Sequence, residues 1–109
     1  MRRGELYRVR RPPGDPKPAR TFAIVSRQAL IDSNFSTVVC APVFSVRQGL
    51  PTQVNVGIAE GVKHESSIQC DALMSIEKSR LTDYVGELTE LRRAELDKAL
   101  SVALALPGP

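Results

Sequence analysis

Residues 36–43 read Ser-Thr-Val-Val-Cys-Ala-Pro-Val and are the stretch of this chain that most strongly favours a β-strand. Valine and threonine are β-branched, and such side chains pack well on the pleated surface of a sheet. Residues 52–56 alternate polar and apolar side chains after a basic turn that contains Gly49 and Pro51. We therefore predict that residues 52–56 pair with residues 36–43 as a hairpin.

Two further strands are predicted on the amino-terminal side of this hairpin. Residues 5–10 alternate in the manner of a half-buried strand, and residues 21–26 form a short apolar run suited to a central strand. Four prolines within residues 11–18 predict an extended, exposed and basic loop between them, because proline lacks a backbone donor. Residues 27–33 have the length of one or two helical turns.

The carboxyl-terminal side of the hairpin ends in a predicted helix. A polar loop at residues 57–65 precedes an apolar stretch at residues 67–76 and a short last strand at residues 84–88. Thr89 is a suitable N-cap for a helix that continues to residue 104. The positions i, i+3, i+4, i+7 and i+8 of one helical face are Leu96, Ala99, Leu100, Ala103 and Leu104.

These elements predict a mainly β fold with a C-terminal α-helix, a small barrel of five to seven short strands that the helix closes. We expect an i, i+4 ion pair between Arg93 and Asp97 on that helix. A chain of 109 residues has room for one core, so residues 1–109 are predicted to form a single domain.

The composition is that of a globular protein, with 42% hydrophobic and 25% charged residues. The longest strongly apolar run, residues 38–44, is far shorter than the roughly 20 residues that cross a bilayer. The basic start is not followed by the apolar segment of a signal peptide. We expect a cytoplasmic protein without a membrane partner.

The charge is concentrated at the amino-terminal end. Residues 1–20 hold seven basic and two acidic side chains, a net +5, whereas residues 21–109 hold eight basic and ten acidic ones, a net −2. A basic end on a nearly neutral body suits a polyanion or an acidic protein partner. A basic terminus that is simply solvated has the same composition.

Few residues in the chain fit familiar catalytic or metal-binding motifs. Cys40 and Cys70 lie thirty positions apart, outside any C-x-x-C pair, which excludes a zinc site and predicts two buried free thiols, with a disulfide or a reactive cysteine as the alternative. No phosphate-binding loop, hydrolase elbow or zinc-protease motif occurs. The single histidine, His64, lies in a polar segment typical of a solvated loop, and a lone proton shuttle is the alternative.

Several short segments occur in a specific order along essentially the whole chain. They are Arg3-Gly4-Glu5-Leu6-Tyr7, Arg20 ahead of residues 22–26, residues 38–43, residues 51–54, residues 70–81 and Val85-Gly86-Glu87-Leu88 before the helix. Each segment is weak by itself, but their order and spacing together resemble the MazF/PemK family of toxins from bacterial toxin–antitoxin modules.

The resemblance implies an SH3-like barrel of the CcdB, PemK and MazF kind that forms a homodimer. It implies a metal-independent, cofactor-free and sequence-specific endoribonuclease that cleaves single-stranded RNA, leaving a 2′,3′-cyclic phosphate and a 5′-hydroxyl. Messenger RNA is the expected substrate, with ribosomal and transfer RNA as further ones. The expected protein partner is a cognate MazE-like antitoxin whose acidic tail occupies the RNA groove, and operator DNA is a partner of the toxin–antitoxin complex.

The resemblance also implies an active-site arginine just before the second strand, where this chain has Arg20. Thr21 follows it in place of the usual proline, and we assign Thr21 to RNA binding. A guanidinium donates hydrogen bonds to two phosphoryl oxygens and stays charged. It therefore stabilises the phosphorane that forms as the 2′-hydroxyl attacks. The alternative is an Arg20 that forms only a surface ion pair.

A serine or threonine is expected directly after the third strand, but Phe44 stands in that position and Ser45 follows it. Strand alternation points Ser45 away from Arg20 unless a bulge re-aims it. We assign Ser45 as the catalytic hydroxyl through such a bulge, with catalysis by Arg20 and backbone groups, or weakened activity, as alternatives. Phe44 either stacks on an RNA base or packs in the core. The sequence does not indicate which residue is the general base.

Four more residues are assigned to RNA binding: Lys17, Arg47, Gln48 and Asp71. Asp71 matches a polar position that the family retains near its RNA groove. Two rival functions stay open, a non-catalytic nucleic-acid-binding barrel and a gyrase-directed poison resembling CcdB.

Overall fold

The computed structural model of the chain describes residues 1–10, 13–17 and 19–107. Within these ranges the strands are β1 (Glu5–Val9), β2 (Arg20–Ile24), β3 (Thr37–Phe44), β4 (Gln53–Val56), β5 (Ser66–Gln69), β6 (Met74–Glu77) and β7 (Asp83–Glu87). The α-helices are α1 (Gln28–Ile31) and α2 (Glu90–Ala103). Short 3-10 turns lie at Ile58–Glu60, Cys70–Ala72 and Lys78–Arg80.

β3 is the central strand of a curled antiparallel sheet. One edge of β3 pairs with β2, and the sheet continues from there to β1 and β7. The opposite edge pairs with β6 along residues 37–40 and with β5 at Val43 and Phe44. The turn Cys70–Ala72 separates β5 from β6 and bends the chain, so that both strands share one edge of β3.

The predicted hairpin between β3 and β4 is wrong. β4 pairs with β5, with Val54 opposite Ile68. The alternation of residues 52–56 indicates which side chains face the core, but it does not specify the neighbouring strand. Because β5 occupies the edge of β3 beside Phe44, β4 lies one strand further out.

The other predicted elements are confirmed with shifts of one or two residues at their ends. The predicted helical turns at residues 27–33 contain α1, and the apolar stretch at residues 67–76 contains β5, the turn and β6. Residues 13–17 of the predicted proline-rich loop are exposed, whereas Arg11, Pro12 and Pro18 lie outside the described residues.

Apolar side chains alternate between the two faces of the sheet, so each face has its own core. The first core, beneath α2, includes Leu6, Ala23, Ala41, Val54, Val56, Ile68, Leu96 and Ala99. The second core includes Tyr7, Val9, Phe22, Ile24, Val38, Cys40 and Ile76. The strands that carry both cores are thereby fixed in register, and their ends are held in place.

α2 begins as predicted, since the Thr89 hydroxyl accepts a hydrogen bond from the backbone N–H of Arg92 at 3.3 Å. Leu96 and Ala99 are buried as expected, whereas Leu104, at the end of the helix, is exposed.

The expected ion pair between Arg93 and Asp97 is wrong. Arg93 pairs with Glu87 of β7 at 3.1 Å, and Asp97 pairs with Arg3 at 2.9 Å. Both charges find partners outside the helix, which ties α2 to the sheet and to the start of the chain.

Both cysteines are free and buried, as predicted. Burial raises the pKa of Cys40 to about 12 and that of Cys70 to about 11, the latter with a contribution from the Asp71 carboxylate. In the described part of the chain, no helix has the length and apolar character to cross a bilayer. No cluster of His, Cys, Asp or Glu with three or more members suits a metal ion among these residues.

Candidate active site

Arg20 and Phe44 meet where two neighbouring strands inside the sheet end, since Arg20 is the first residue of β2 and Phe44 is the last residue of β3. Phe22 lies opposite Pro42 in the antiparallel pairing of these strands, and two more residues along each strand lead to Arg20 and Phe44. The guanidinium carbon of Arg20 lies 4.2 Å from the centroid of the Phe44 ring, which is a cation–π contact. The ring therefore supports the cation from one side.

The predicted alternative, in which Arg20 forms a surface ion pair, is not observed. Among the ion pairs of the described residues, none involves Arg20. Its positive charge is therefore not neutralised by a carboxylate in this part of the chain.

Arg20 and Phe44 contribute to a groove of about 660 Å³, which we name the Arg20 groove. Its lining residues are Arg8, Ala19, Arg20, Thr21, Val43, Phe44, Ser45, Gly61, Val62, Lys63, His64, Ser66 and Val85. Three of these side chains are cationic at neutral pH, and no Asp or Glu occurs among the described lining residues. A groove lined by charge of one sign attracts ligands of the opposite sign, here anions.

Four of the predicted site residues lie together in this groove, namely Arg20, Thr21, Phe44 and Ser45. β3 ends at Phe44, and Ser45 lies in the bend that follows it. Strand alternation does not govern a residue beyond the end of the strand, so Ser45 reaches the groove beside Phe44 without a bulge in β3. Phe44 is half-buried against Arg20 and is not enclosed in either core.

Three basic residues of the groove were not assigned to the site from the sequence: Arg8, Lys63 and His64. Arg8 lies opposite Thr21 in the pairing of β1 with β2, so the strand register places it beside Arg20. Arg8 could have been found from the sequence, because it occupies an exposed position of the alternating strand that pairs with the strand of Arg20. Lys63 and His64 come from the loop at residues 57–65, whose position over the groove has no signal in the sequence.

That loop is anchored against β7 by two glycines. A Cβ atom on Gly86 would lie 2.1 Å from the carbonyl oxygen of Glu60, and one on Gly61 would lie 2.3 Å from that of Val85. Gly61 also has φ +92°, a conformation that side chains rarely adopt. The two backbones approach closely only because both residues lack a side chain, and this contact holds Lys63 and His64 at the groove.

Arg47 does not line the Arg20 groove. Its guanidinium donates hydrogen bonds to the carbonyl oxygens of Ser66 at 3.1 Å and Val56 at 2.9 Å, and it lies 3.6 Å from the Glu65 carboxylate. Through these contacts Arg47 connects β4, β5 and the loop at residues 57–65.

The remaining predicted RNA contacts also lie outside this groove. The Gln48 side chain accepts a hydrogen bond from Gln53 at 2.8 Å, and the Asp71 carboxylate accepts one from Thr52 at 2.6 Å. Lys17 is exposed. The roles of these residues toward RNA stay predictions.

The basic amino-terminal end divides into two groups of arginines. Arg3 pairs with Asp97 and Arg10 pairs with Asp83, both at 2.9 Å. Arg8 and Arg20 line the groove instead. The charge that accumulates at this end of the sequence is therefore used partly for ion pairs within the protein and partly for the groove.

A second cavity, of about 420 Å³, lies on the other side of the Arg20–Phe44 contact. Its lining residues are Val9, Arg20, Phe22, Pro42, Phe44, Ala72, Met74, Ile76 and Arg80. The lining is mostly apolar, so this cavity suits a flat apolar or aromatic group adjacent to an anion in the Arg20 groove.

The fold and the site together define a small β-protein with a cationic groove at its strand ends, suited to a polyanionic chain. The chain belongs to the family of PemK-like, MazF-like toxins of type II toxin–antitoxin systems, whose model matches residues 2–104. The family and the mainly β fold with a terminal helix predicted from the sequence are thereby confirmed.

Named relatives and solved structures agree with this membership. The endoribonuclease MazF1 of Mycobacterium bovis is 30% identical over 107 residues, which cover 98% of this chain and 95% of that protein, and the endoribonuclease MazF4 of Mycobacterium tuberculosis gives the same values. A mycobacterial endoribonuclease solved in complex with its cognate antitoxin is 29% identical and has a TM-score of 0.85, covering 100% of this chain and 99% of that one.

Proposed function

We propose that this toxin is an endoribonuclease that cleaves single-stranded RNA in the Arg20 groove. The observation that carries the proposal is Arg20 itself, a cation held by an aromatic ring in a groove with no carboxylate among its described lining residues. The endoribonuclease names of relatives that match nearly the full length of the chain support the same activity.

The proposed reaction is an attack of the RNA 2′-hydroxyl on the adjacent phosphorus. The bond from the 2′-oxygen to phosphorus forms as the bond to the 5′-oxygen breaks, which leaves a 2′,3′-cyclic phosphate and a 5′-hydroxyl. Negative charge grows on the nonbridging oxygens in the transition state, and the planar guanidinium of Arg20 donates two parallel hydrogen bonds to them. No step of this scheme requires a metal ion.

Ser45 is proposed as the hydroxyl partner of Arg20. Its position next to Phe44 at the end of β3, in the lining of the same groove, supports a role in which its hydroxyl donates to a phosphoryl oxygen. Arg8 and Lys63 add positive charge that attracts neighbouring phosphates, and the second cavity gives room for a base beside the scissile phosphate.

The proposed partners follow from the family. We infer that a cognate antitoxin silences the groove, as supported by the relative solved with its own antitoxin. An acidic antitoxin tail carries the same sign of charge as RNA, so both ligands suit one cationic surface. We also infer a homodimer, and the cytoplasm as the site of action because RNA is the substrate.

The test is RNA cleavage in EDTA with the Arg20→Ala variant. Loss of a group that stabilises the transition state lowers kcat by about 10²–10³-fold, whereas Arg20→Lys keeps the charge but loses the paired donors and should be intermediate. Arg27→Ala is the matched control, because Arg27 is an exposed arginine at the start of α1 and lies outside both cavities.

Product ends are read by labelling, and a 5′-hydroxyl supports the proposed reaction. Retention of intact RNA by the unaltered protein would favour a nucleic-acid-binding barrel instead. No effect on RNA together with inhibited gyrase would favour a gyrase poison. Unchanged turnover in Arg20→Ala would remove Arg20 from the mechanism.

A further inference from the structure

The Arg20 groove supplies positive charge for the proposed cleavage, but few of its side chains can transfer protons. The reaction needs two proton transfers, because the 2′-hydroxyl must lose a proton and the 5′-oxygen must gain one. Among the described lining residues no carboxylate is present, and the other polar side chains are arginine, lysine, serine and threonine. Imidazole is the side chain that both gives and takes protons readily near neutral pH, and His64 lies in this groove.

His64 is exposed, but its backbone is fixed on both sides. Ahead of it, Gly61 packs against Val85 of β7 with no room for a Cβ atom. After it, the buried Ser66 donates a hydrogen bond from its hydroxyl to the His64 carbonyl oxygen at 2.9 Å. A loop held in this way gives the His64 backbone a defined position beside the groove, and catalysis by proton transfer requires a defined position.

The charged groups around His64 come from three elements. Arg8 of β1 and Arg20 of β2 line the groove with it, and Lys63 precedes it in the loop. The neighbouring Glu65 carboxylate is directed to Arg47 at 3.6 Å. An RNA phosphate bound between these cations is therefore brought beside an imidazole whose immediate surroundings attract anions.

We propose that His64 is a catalytic residue that carries one of the two proton transfers of RNA cleavage, an inference that rests on the proposed function. As the 2′-oxygen bonds to phosphorus and the bond to the 5′-oxygen breaks, His64 either takes the proton of the 2′-hydroxyl or gives one to the 5′-oxygen. Water carries the other transfer, so the protons balance without a further co-reactant.

The first experiment measures kcat and KM of the His64→Ala variant on a short RNA whose cleavage site has been mapped with the unaltered protein. Loss of a general acid or base lowers kcat by about 10²–10⁴-fold, and KM should stay close to that of the unaltered protein. Added imidazole should restore part of the His64→Ala activity and none of the Arg20→Ala activity. Ile58→Ala is the control, because Ile58 is 84% exposed in the same loop and lies outside the groove.

The second experiment identifies the oxygen that His64 serves. In a substrate with sulfur in place of the 5′-bridging oxygen, the leaving thiolate departs without a proton. If this substrate restores cleavage by His64→Ala, His64 protonates the 5′-oxygen. If it does not, while imidazole does, His64 accepts the 2′-hydroxyl proton.

Three results would overturn the inference. A kcat of His64→Ala equal to that of the unaltered protein would remove His64 from the reaction. A loss confined to KM would make it a phosphate-binding group, and a loss of kcat that imidazole cannot restore would make its role structural. Absence of cleavage by the unaltered protein would instead overturn the proposed function and this inference with it.

Discussion

Replacing Phe44 by leucine removes the aromatic ring beside the Arg20 guanidinium and keeps an apolar side chain at the end of β3. We expect this Phe44→Leu variant to fold normally, because Phe44 is half-buried and belongs to neither core. Its kcat should nevertheless fall, since Arg20 loses the surface that holds it in position.

The size of the effect follows from the contact. The guanidinium carbon lies 4.2 Å from the ring centroid, well within cation–π range. Such contacts contribute about 0.5–1 kcal/mol at exposed sites and about 2 kcal/mol when desolvated, so a half-buried pair is worth about 1 kcal/mol. If Arg20 must recover that energy to reach its catalytic position, kcat falls about fivefold, since about 1.36 kcal/mol corresponds to a tenfold change in rate.

The assay is steady-state cleavage of a defined RNA, with Phe35→Leu as the control because Phe35 is 58% exposed and lies outside the Arg20 groove. An unchanged kcat in Phe44→Leu would refute the idea that the ring positions Arg20. An increase of KM with kcat retained would show that the ring stacks on an RNA base instead.

Two further predictions concern stability. Gly86→Ala should lower the free energy of unfolding by about 3 kcal/mol or more, because its Cβ would lie 2.1 Å from the Glu60 carbonyl oxygen. Gly57→Ala is the control and should have little effect, because the atom nearest to its Cβ would be 3.8 Å away. Equal urea midpoints for the two variants would contradict this prediction. Burial raises the pKa of Cys40 from 9.0 to about 12 and that of Cys70 from 9.0 to about 11. Both thiols therefore ionise at lower pH in the unfolded chain than in the folded protein. The free energy of unfolding should have its full value below pH 9 and decrease as the pH rises toward 11, and an unchanged urea midpoint between pH 8 and pH 10 would contradict this.

The sequence predicted two strands from the period-two alternation of residues 5–10 and 52–56, and others from short apolar or β-branched runs such as residues 21–26 and 36–43. It predicted α2 from the N-cap Thr89 and from an apolar face with a period of 3.6. It did not predict that β4 pairs with β5. Periodicity describes the faces of one strand, whereas the choice of neighbour depends on which edge the rest of the chain leaves open. The partners of Arg93 and Asp97 were missed for the same reason, because both lie outside the helix.

The part of the candidate site that lies at the ends of strands could be predicted from the sequence. Arg20 is the first residue of β2 and Ser45 follows the last residue of the neighbouring strand β3, so the family order and the register together place them in one groove. His64 was not predictable in this way. Its position depends on the close approach of Gly61 and Gly86, two residues far apart in the sequence whose contact leaves no pattern in either segment.

The small number of cations in the Arg20 groove bears on how RNA molecules would be discriminated in the proposed reaction. Arg8, Arg20 and Lys63 would neutralise about three phosphates of a bound RNA strand, which would release about two counterions. So few displaced ions would contribute only a modest, sequence-independent part of the affinity. Discrimination would then come from the bases on either side of the cleaved bond, read within a footprint of a few nucleotides.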